Sequence, residues 1–380
     1  MPEAPRHVPL CIPNLDAAEL EAVADVLKSG WLAHGPMNHE FEAKFAAFLE
    51  LPHAVCMNSC TSALFLSLVA QGIKGEVIVP SFTFVASANA IVTAGATPVF
   101  ADVEYETGNL DPAAVEAAIT PRTEALMAVH YAGHVADMRR IGEIAARHKL
   151  LLIEDSAEAI GAAQDGVRTG GWGTGCFSFF PTKNLTTGEG GMLTTRDAAL
   201  AAKVRALVGH GIESTTLARE KKERPWLRAA TFAGYNFRLS NVLAALGAKQ
   251  MDKLAGMNAA RRAHAKRYDA ALDREWFDLP VERPGCTHVY QMYVVKTRGL
   301  DRTKFLAKLK QTGIGASVHF DPPVHTQPYY AEAKHPRGGL SVTERLSASC
   351  VTLSMYPQMT EADVQYVAEQ ANRAAPECRE

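Results

Sequence analysis

Charge of one sign, long apolar runs and paired cysteines are missing from this sequence. Lys and Arg number 39 against 41 Asp and Glu, a formal net charge of −2. No basic excess therefore invites nucleic acid or an anionic membrane. No apolar run approaches the roughly 20 residues that cross a bilayer. The first residues, Met1-Pro-Glu-Ala-Pro-Arg6, lack the charged-then-apolar form of a secretory leader, so a cytoplasmic protein is expected. Cys11, Cys56, Cys60, Cys176, Cys286, Cys350 and Cys378 are scattered, odd in number and form no CxxC unit. That pattern speaks against zinc and against a disulfide framework, and reduced thiols are expected. Tandem repeats and low-complexity segments are also lacking.

What is present is an ordinary globular balance, 47% hydrophobic and 21% charged over 380 residues, enough for two domains. Short apolar runs alternate with helical patterns through the first half. Val77-Ile-Val-Pro80, Pro98-Val-Phe-Ala101, Ala125 to His130 and Leu150 to Ile153 read as strands. Segments from about Thr61 to Val69, from Phe84 to Thr93, and around Met138, Ile141 and Ile144 read as helices. Continuous apolar strands separated by helices predict an α/β fold with a parallel sheet covered on both faces. In such sheets chemistry gathers at the carboxyl ends of strands, where His130, Asp155 and the turn after Phe180 fall. Residues 196–275 are richer in charge and helix formers, and the run Arg219 to Arg224 reads as a solvated loop. From about Val289 a smaller α+β unit is expected: a strand over Val289–Val295, a helix over Arg302–Gln311, and a strand over Gly313–Phe320.

Lys183 is the most informative single residue. It lies in Ser178-Phe-Phe-Pro-Thr-Lys183, between the apolar run Cys176 to Phe180 and the turn Gly188-Glu-Gly-Gly191. A lysine in an apolar pocket is a usable nucleophile. The run Leu150 to Ile153 ends in Glu154-Asp155. An amine able to form a Schiff base, with an acid at a strand end, is what a pyridoxal phosphate enzyme needs: the acid keeps the pyridine nitrogen protonated. Asn58-Ser-Cys-Thr-Ser62 opens an apolar helix and offers free N–H groups and hydroxyls to a phosphate. Phe84, in Ser81-Phe-Thr-Phe84, has the flat face to stack on a ring. Taken singly, each has an ordinary role: a surface lysine, a capping aspartate, a capping serine, a core aromatic.

In order along the chain, these segments resemble the DegT/DnrJ/EryC1/StrS family of sugar-nucleotide aminotransferases. The resemblance also takes in Ser29-Gly-Trp-Leu-Ala-His-Gly-Pro36, Val129-His-Tyr-Ala-Gly133, Gly234-Tyr-Asn-Phe-Arg238 and the stretch from His319 to His325, and spans about residues 8–370. It implies fold type I: a large domain with a mostly parallel seven-stranded sheet covered by helices, and a smaller C-terminal α+β domain. We set the large domain, with an N-terminal arm, at residues 1–250 and the small one at 251–380. It implies that Lys183 forms the Schiff base with pyridoxal 5′-phosphate and that Asp155 faces the ring nitrogen. Cys60, Thr61 and Ser178 then match phosphate contacts, and Phe84 the stacking aromatic. Asn236 matches a residue that reaches the phosphate of a neighbouring subunit, which implies a homodimer with shared sites. Trp31, His319 and His325 fall in segments that line the sugar side. Glu158 stands where many members have His or Gln beside the phenolic oxygen of the cofactor.

The reaction so implied moves an amino group from an amino acid, by analogy L-glutamate, to a nucleotide-linked keto-sugar, by default a 4-keto-6-deoxyhexose. This suits deoxyamino-sugar and polysaccharide biosynthesis. Relatives that aminate cyclitols or other keto compounds, sugar dehydratases that use the same cofactor, and an inactive regulator of the same fold are the alternatives. The retained Lys183 speaks against the last two. No nucleic acid, membrane or metal is expected as a partner. The loop from Glu213 to Arg228 and the stretch from His319 to Tyr330 are expected to select the acceptor.

Overall fold

The computed structural model describes residues 6–213, 226, 229–333 and 339–380. Its helices there are α1 (Ala17–Ser29), α2 (Pro36–Leu49), α3 (Cys60–Gln71), α4 (Ala86–Thr93), α5 (Pro112–Ala118), α6 (Met138–His148), α7 (Ala198–Val208), α8 (Asn241–Ala271), α9 (Arg302–Gln311), α10 (Ser341–Ser349) and α11 (Glu361–Ala374). The central sheet has seven strands in the order β1-β9-β8-β5-β4-β2-β3. These are β1 (His53–Met57), β2 (Glu76–Pro80), β3 (Thr97–Ala101), β4 (Thr123–Val129), β5 (Leu151–Asp155), β8 (Thr174–Ser178) and β9 (Gly191–Thr195). Only β9 runs against its neighbours, pairing antiparallel with both β8 and β1. The carboxyl ends of the other six and the start of β9 therefore share one edge.

The strands are buried because helices cover both faces, as their unbroken apolar runs require. Alternation sorts the side chains. Val77 and Met127 join the helices α3, α4 and α7 on one face, while Ile78 and Leu126 join α5 and α6 on the other. Phe41 and Phe45 of α2 pack with Phe177 and Met192 and with Ala244 and Leu254 of α8. The short strand β6 (Ala163–Gln164) pairs on one side with β7 (Val167–Arg168) and on the other with β11 (Cys286–Thr287). A separate antiparallel sheet, β10-β12-β13, joins Phe277–Asp278, Tyr293–Thr297 and Cys350–Leu353. Its core includes Tyr268, Phe277, Tyr293, Phe305, Val351 and Val364. Residue 250, where the division between domains was set, lies inside the continuous helix α8, whose two halves serve both cores.

Two expectations in the C-terminal unit need correction. The strand expected over Val289–Val295 begins only at Tyr293. Residues Val289 to Met292 instead run beside the turn Ala132–Gly133, to which Val289 and Met292 donate their N–H groups. The segment Gly313–Phe320 is not a strand; its ladder pairing is limited to isolated bridges, Ile314 to Val8 and Ser317 to Thr352. Its glycines admit the N-terminal arm: a Cβ on Gly313 would fall 2.2 Å from the Arg6 carbonyl oxygen and one on Gly315 2.3 Å from the Leu10 nitrogen. Val8 is thereby buried in the core of the C-terminal unit. The charged run Arg219 to Arg224 lies outside the described residues, as does most of the loop 213–228. No helix among the described residues is long and apolar enough to cross a membrane.

Candidate active site

One cavity of about 350 Å³ opens at the shared edge of the sheet. All the strands there except β3 send a residue to it: Ser59, Cys60 and Thr61 after β1, Thr83 and Phe84 after β2, Val129 from β4, Asp155 from β5, Ser178 and Lys183 from β8, and Gly190 before β9. His319 and Phe320, with Thr352 and Leu353 of β13, close the opposite wall. Thus Lys183, Asp155, Cys60, Thr61, Phe84, Glu158, Ser178 and His319 meet in one space.

Lys183 sits where β8 has ended and the chain turns; its N–H bonds the Phe180 carbonyl at 2.9 Å. The preceding carbonyl, on Thr182, accepts from Gln291 Nε2 at 2.9 Å. Its amine is not solitary: Nζ lies 3.2 Å from Glu158 Oε1. Across the cavity Asp155 is the last residue of β5. Its Oδ2 accepts from the Ser87 hydroxyl at 2.8 Å, and its Oδ1 from the Ala157 N–H at 3.2 Å. Burial pushes the Asp155 carboxyl up, against the opposing bonds from Ser87 and Ala157 and the charge of Lys183. A cation brought against this carboxylate would therefore be held strongly, because burial leaves it little water to compete.

The helix α3 begins at Ser59, whose side chain caps the Ser62 N–H at 3.1 Å. The N–H groups of Cys60 and Thr61, in the first turn, have no intrahelical acceptor and carry the positive end of the helix dipole. The Cys60 thiol itself points at Asp155 Oδ1, 3.9 Å away, and burial and that carboxylate push it up. Its contribution to an anion is thus its main chain. Gly190 and Gly191 leave no room for a side chain: a Cβ on Gly191 would fall 2.3 Å from the Ser59 carbonyl carbon. Phe84 is 61% exposed, a large apolar face turned to open space in the cavity. An amine, a buried acid, an anion site and an exposed aromatic fit a flat, phosphorylated aldehyde cofactor.

Three expected site residues stand apart from this cavity in the single chain. Trp31 donates its indole N–H to the His34 carbonyl at 3.1 Å, and its own carbonyl caps against Asn241 Nδ2. Asn236 is exposed, and its Oδ1 accepts from Arg238. His325 is buried, and its Nδ1 lies 2.6 Å from the Ser81 hydroxyl, fastening its segment to the end of β2. His130 likewise turns from the cavity; its Nε2 meets Glu154 Oε2 at 3.1 Å with both side chains fully buried. His34, Glu42 and Cys56 place ligand atoms within 4.8 Å of one another, but Arg205 already meets the Glu42 carboxylate at 2.9 Å.

Sequence reasoning missed Ser87, Gln291, and the arm residues Leu10 and Cys11, which also line the cavity or support it. Ser87 had a signal, one helical turn beyond Phe84. Gln291 had another: it is the one amide inside the apolar run Val289 to Val295. The arm had none, since its main-chain bonds run to Gly313, Gly315 and Met355, more than 300 positions away.

Comparison with known proteins agrees with this geometry. The model of the DegT/DnrJ/EryC1/StrS aminotransferase family matches residues 13–372. The spore coat polysaccharide biosynthesis protein SpsC of Bacillus subtilis (strain 168) is 40% identical over 377 residues, 95% of each chain. Among solved structures, DesI with its TDP-sugar product superposes with a TM-score of 0.86 at 32% identity, covering 98% of this chain and 96% of that one. The PLP form of Spr1654 from Streptococcus pneumoniae gives a TM-score of 0.90 at 25% identity, covering 98% and 99%.

Proposed function

Because the chain belongs to the DegT/DnrJ/EryC1/StrS aminotransferase family, we propose that it moves the amino group of L-glutamate to a nucleotide-linked keto-sugar, with pyridoxal phosphate held at Lys183. The acceptor is a 4-keto-6-deoxyhexose in this reading, and the product serves polysaccharide biosynthesis. The observation that carries it is one cavity faced by Lys183 Nζ and by the buried Asp155 carboxylate. The relative named for spore coat polysaccharide and the neighbour solved with a TDP-sugar product support the acceptor class.

When bound, pyridoxal phosphate supplies an aldehyde that links to amines and a ring that accepts the electrons left by a departing proton. The chain's residues do the rest. The N–H groups of Cys60 and Thr61 and the hydroxyls of Thr61 and Ser178 hold the phosphate. Phe84 covers a face of the ring, and the Asp155 carboxylate keeps the ring nitrogen protonated. Lys183 Nζ would take the proton from the donor's Cα and return it at the cofactor's aldehyde carbon, acting as base and then acid. His319 stands on the acceptor side, and burial pushes its imidazole down, toward the neutral form. We read the working form as a cytoplasmic homodimer in which Asn236 reaches the phosphate in the site of the second copy, while Trp31 belongs to the sugar side of the site.

The test is a panel of nucleotide-linked keto-sugars incubated with L-glutamate, following 2-oxoglutarate release. Lys183→Ala should abolish both turnover and the visible band of the protein-bound cofactor. Full turnover in that variant would sink the assignment.

A further inference from the structure

The ring of His319 is held from the side that faces away from a ligand. Its Nδ1 lies 2.8 Å from the Thr352 hydroxyl oxygen. Thr352 belongs to β13, and its N–H and carbonyl pair with Ser317 at 2.8 and 3.0 Å, so the hydroxyl is placed by the main chain. The His319 carbonyl accepts from the Tyr131 hydroxyl and from the Cys350 thiol, which fixes the residue at its other end. Thr352 is 2% exposed, and among the described residues its hydroxyl has no other hydrogen-bond partner. A buried hydroxyl must give its proton to an acceptor or lose that bond. Nδ1 is the acceptor at hand, so it carries the lone pair and the ring proton sits on Nε2. A second ring proton, on Nδ1, would leave the Thr352 hydroxyl with nothing to donate to. Burial acts in the same direction and pushes His319 down, toward the neutral ring.

The Nε2–H so defined has no partner among the described residues, and the ring lines the cavity. The charged groups near it are Glu158 and Lys183. Both are already engaged. Glu158 Oε2 accepts at 3.0 Å from the N–H of Ala132, which holds φ at 57°, in the left-handed region, to aim it. Glu158 Oε1 lies 3.2 Å from Lys183 Nζ. The N–H of His319 is therefore left for a ligand. An uncharged donor suits an uncharged oxygen, whereas the carboxylates of an amino acid are better met by a cation. A keto oxygen gathers negative charge when an amine adds to its carbon, and a fixed N–H aimed at it is worth most where little water competes. We propose that Thr352 is a positioning residue that holds His319 in its Nε2–H form, and that this N–H binds the keto oxygen of the acceptor. The second half rests on the function proposed above; the first does not.

The hold is tested in the cofactor-free, full-length protein labelled at the histidine ring nitrogens. Nitrogen NMR separates protonated from bare ring nitrogens, and His319→Gln identifies the His319 signals. At neutral pH the wild type should show a bare Nδ1 and a protonated Nε2. Thr352→Val, which keeps the shape and removes the hydroxyl, should mix the two neutral forms, and Thr352→Ser should keep the one. A protonated Nδ1 in the wild type, or a spectrum unmoved by Thr352→Val, overturns the proposal. The keto-oxygen contact is tested in the loaded protein by single turnovers: loss of the visible band with L-glutamate, and its return with a TDP-linked 4-keto-6-deoxyhexose. Thr352→Val should slow the return about tenfold, the worth of one hydrogen bond, with the slowing absent from the glutamate half and relieved in Thr352→Ser. Equal slowing of both halves would make His319 a contact common to donor and acceptor and overturn the keto-oxygen assignment. If the band of the wild type returns with no nucleotide-linked keto-sugar, the function proposed above fails, while the nitrogen spectra still decide the hold of Thr352 on His319.

Discussion

At the scale of single residues the site is a set of charges whose values are fixed by short contacts. Asp155 is the clearest case. Burial pushes its carboxyl up, and the Ser87 hydroxyl is the first contact that pulls it back. A hydrogen bond to the ionised form favours that form, so its loss raises the folded pKa further. In Ser87→Ala the acid side of the rate profile should therefore move to higher pH. An unmoved acid limb in steady-state measurements across pH would show that Ser87 does not support Asp155. The residues read from sequence were those whose role follows from position alone: Lys183 after one strand, Asp155 at the end of another. Glu158 was recognised as a position but not as a partner. Its tie runs to a main-chain N–H, and the left-handed Ala132 that aims this group leaves no trace in residue type.

At the scale of elements, the strand-end logic was legible because apolar runs of this length have few other uses. The strands β2 through β5 and the helix α9 stand within a residue or two of where periodicity put them. The failures share a cause. Gly313 to Phe320 has an apolar, glycine-flanked pattern that suits a strand, yet the glycines serve the passage of a second chain segment. Sequence shows a glycine but not what approaches it. The same blindness hid the contact of β9 with α3. Gly191 lets the strand lie directly on the first turn of that helix, where an added Cβ would sit 2.4 Å from the Ser59 oxygen and 2.5 Å from the Cys60 nitrogen. Gly191→Ala should therefore displace the helix start, costing about 1–3 kcal/mol and weakening cofactor affinity with it. Thermal unfolding paired with a cofactor titration checks this; a normal affinity in the variant would detach the helix start from phosphate binding.

At the scale of the whole molecule, the cavity of one chain holds most of the expected site but not Asn236, which is exposed beside Arg238. The proposed second copy makes a sharp prediction. Lys183→Ala and Asn236→Ala homodimers should both be inactive or nearly so. Mixing them after partial unfolding should restore activity, because one site of each hybrid then carries neither change. If Asn236 served its own chain, every hybrid site would carry one change and mixing would restore nothing. The assay is turnover of the refolded mixture against each variant refolded alone.

The N-terminal arm adds a constraint of a different kind, one of timing. Val8 bridges Ile314, its carbonyl accepts from Ser354, and the arm's Leu10 and Cys11 stand in the cavity wall beside Thr352 and Leu353. Lys183 and Asp155 are synthesised well before β13, yet the wall that encloses them joins Leu10 and Cys11 to Thr352 and Leu353. Closing so long a loop is slow compared with forming local helices, and it must wait for β13 to leave the ribosome. A nascent chain thus carries its reactive amine uncovered until β13 has been made, and the pocket comes into being only after that.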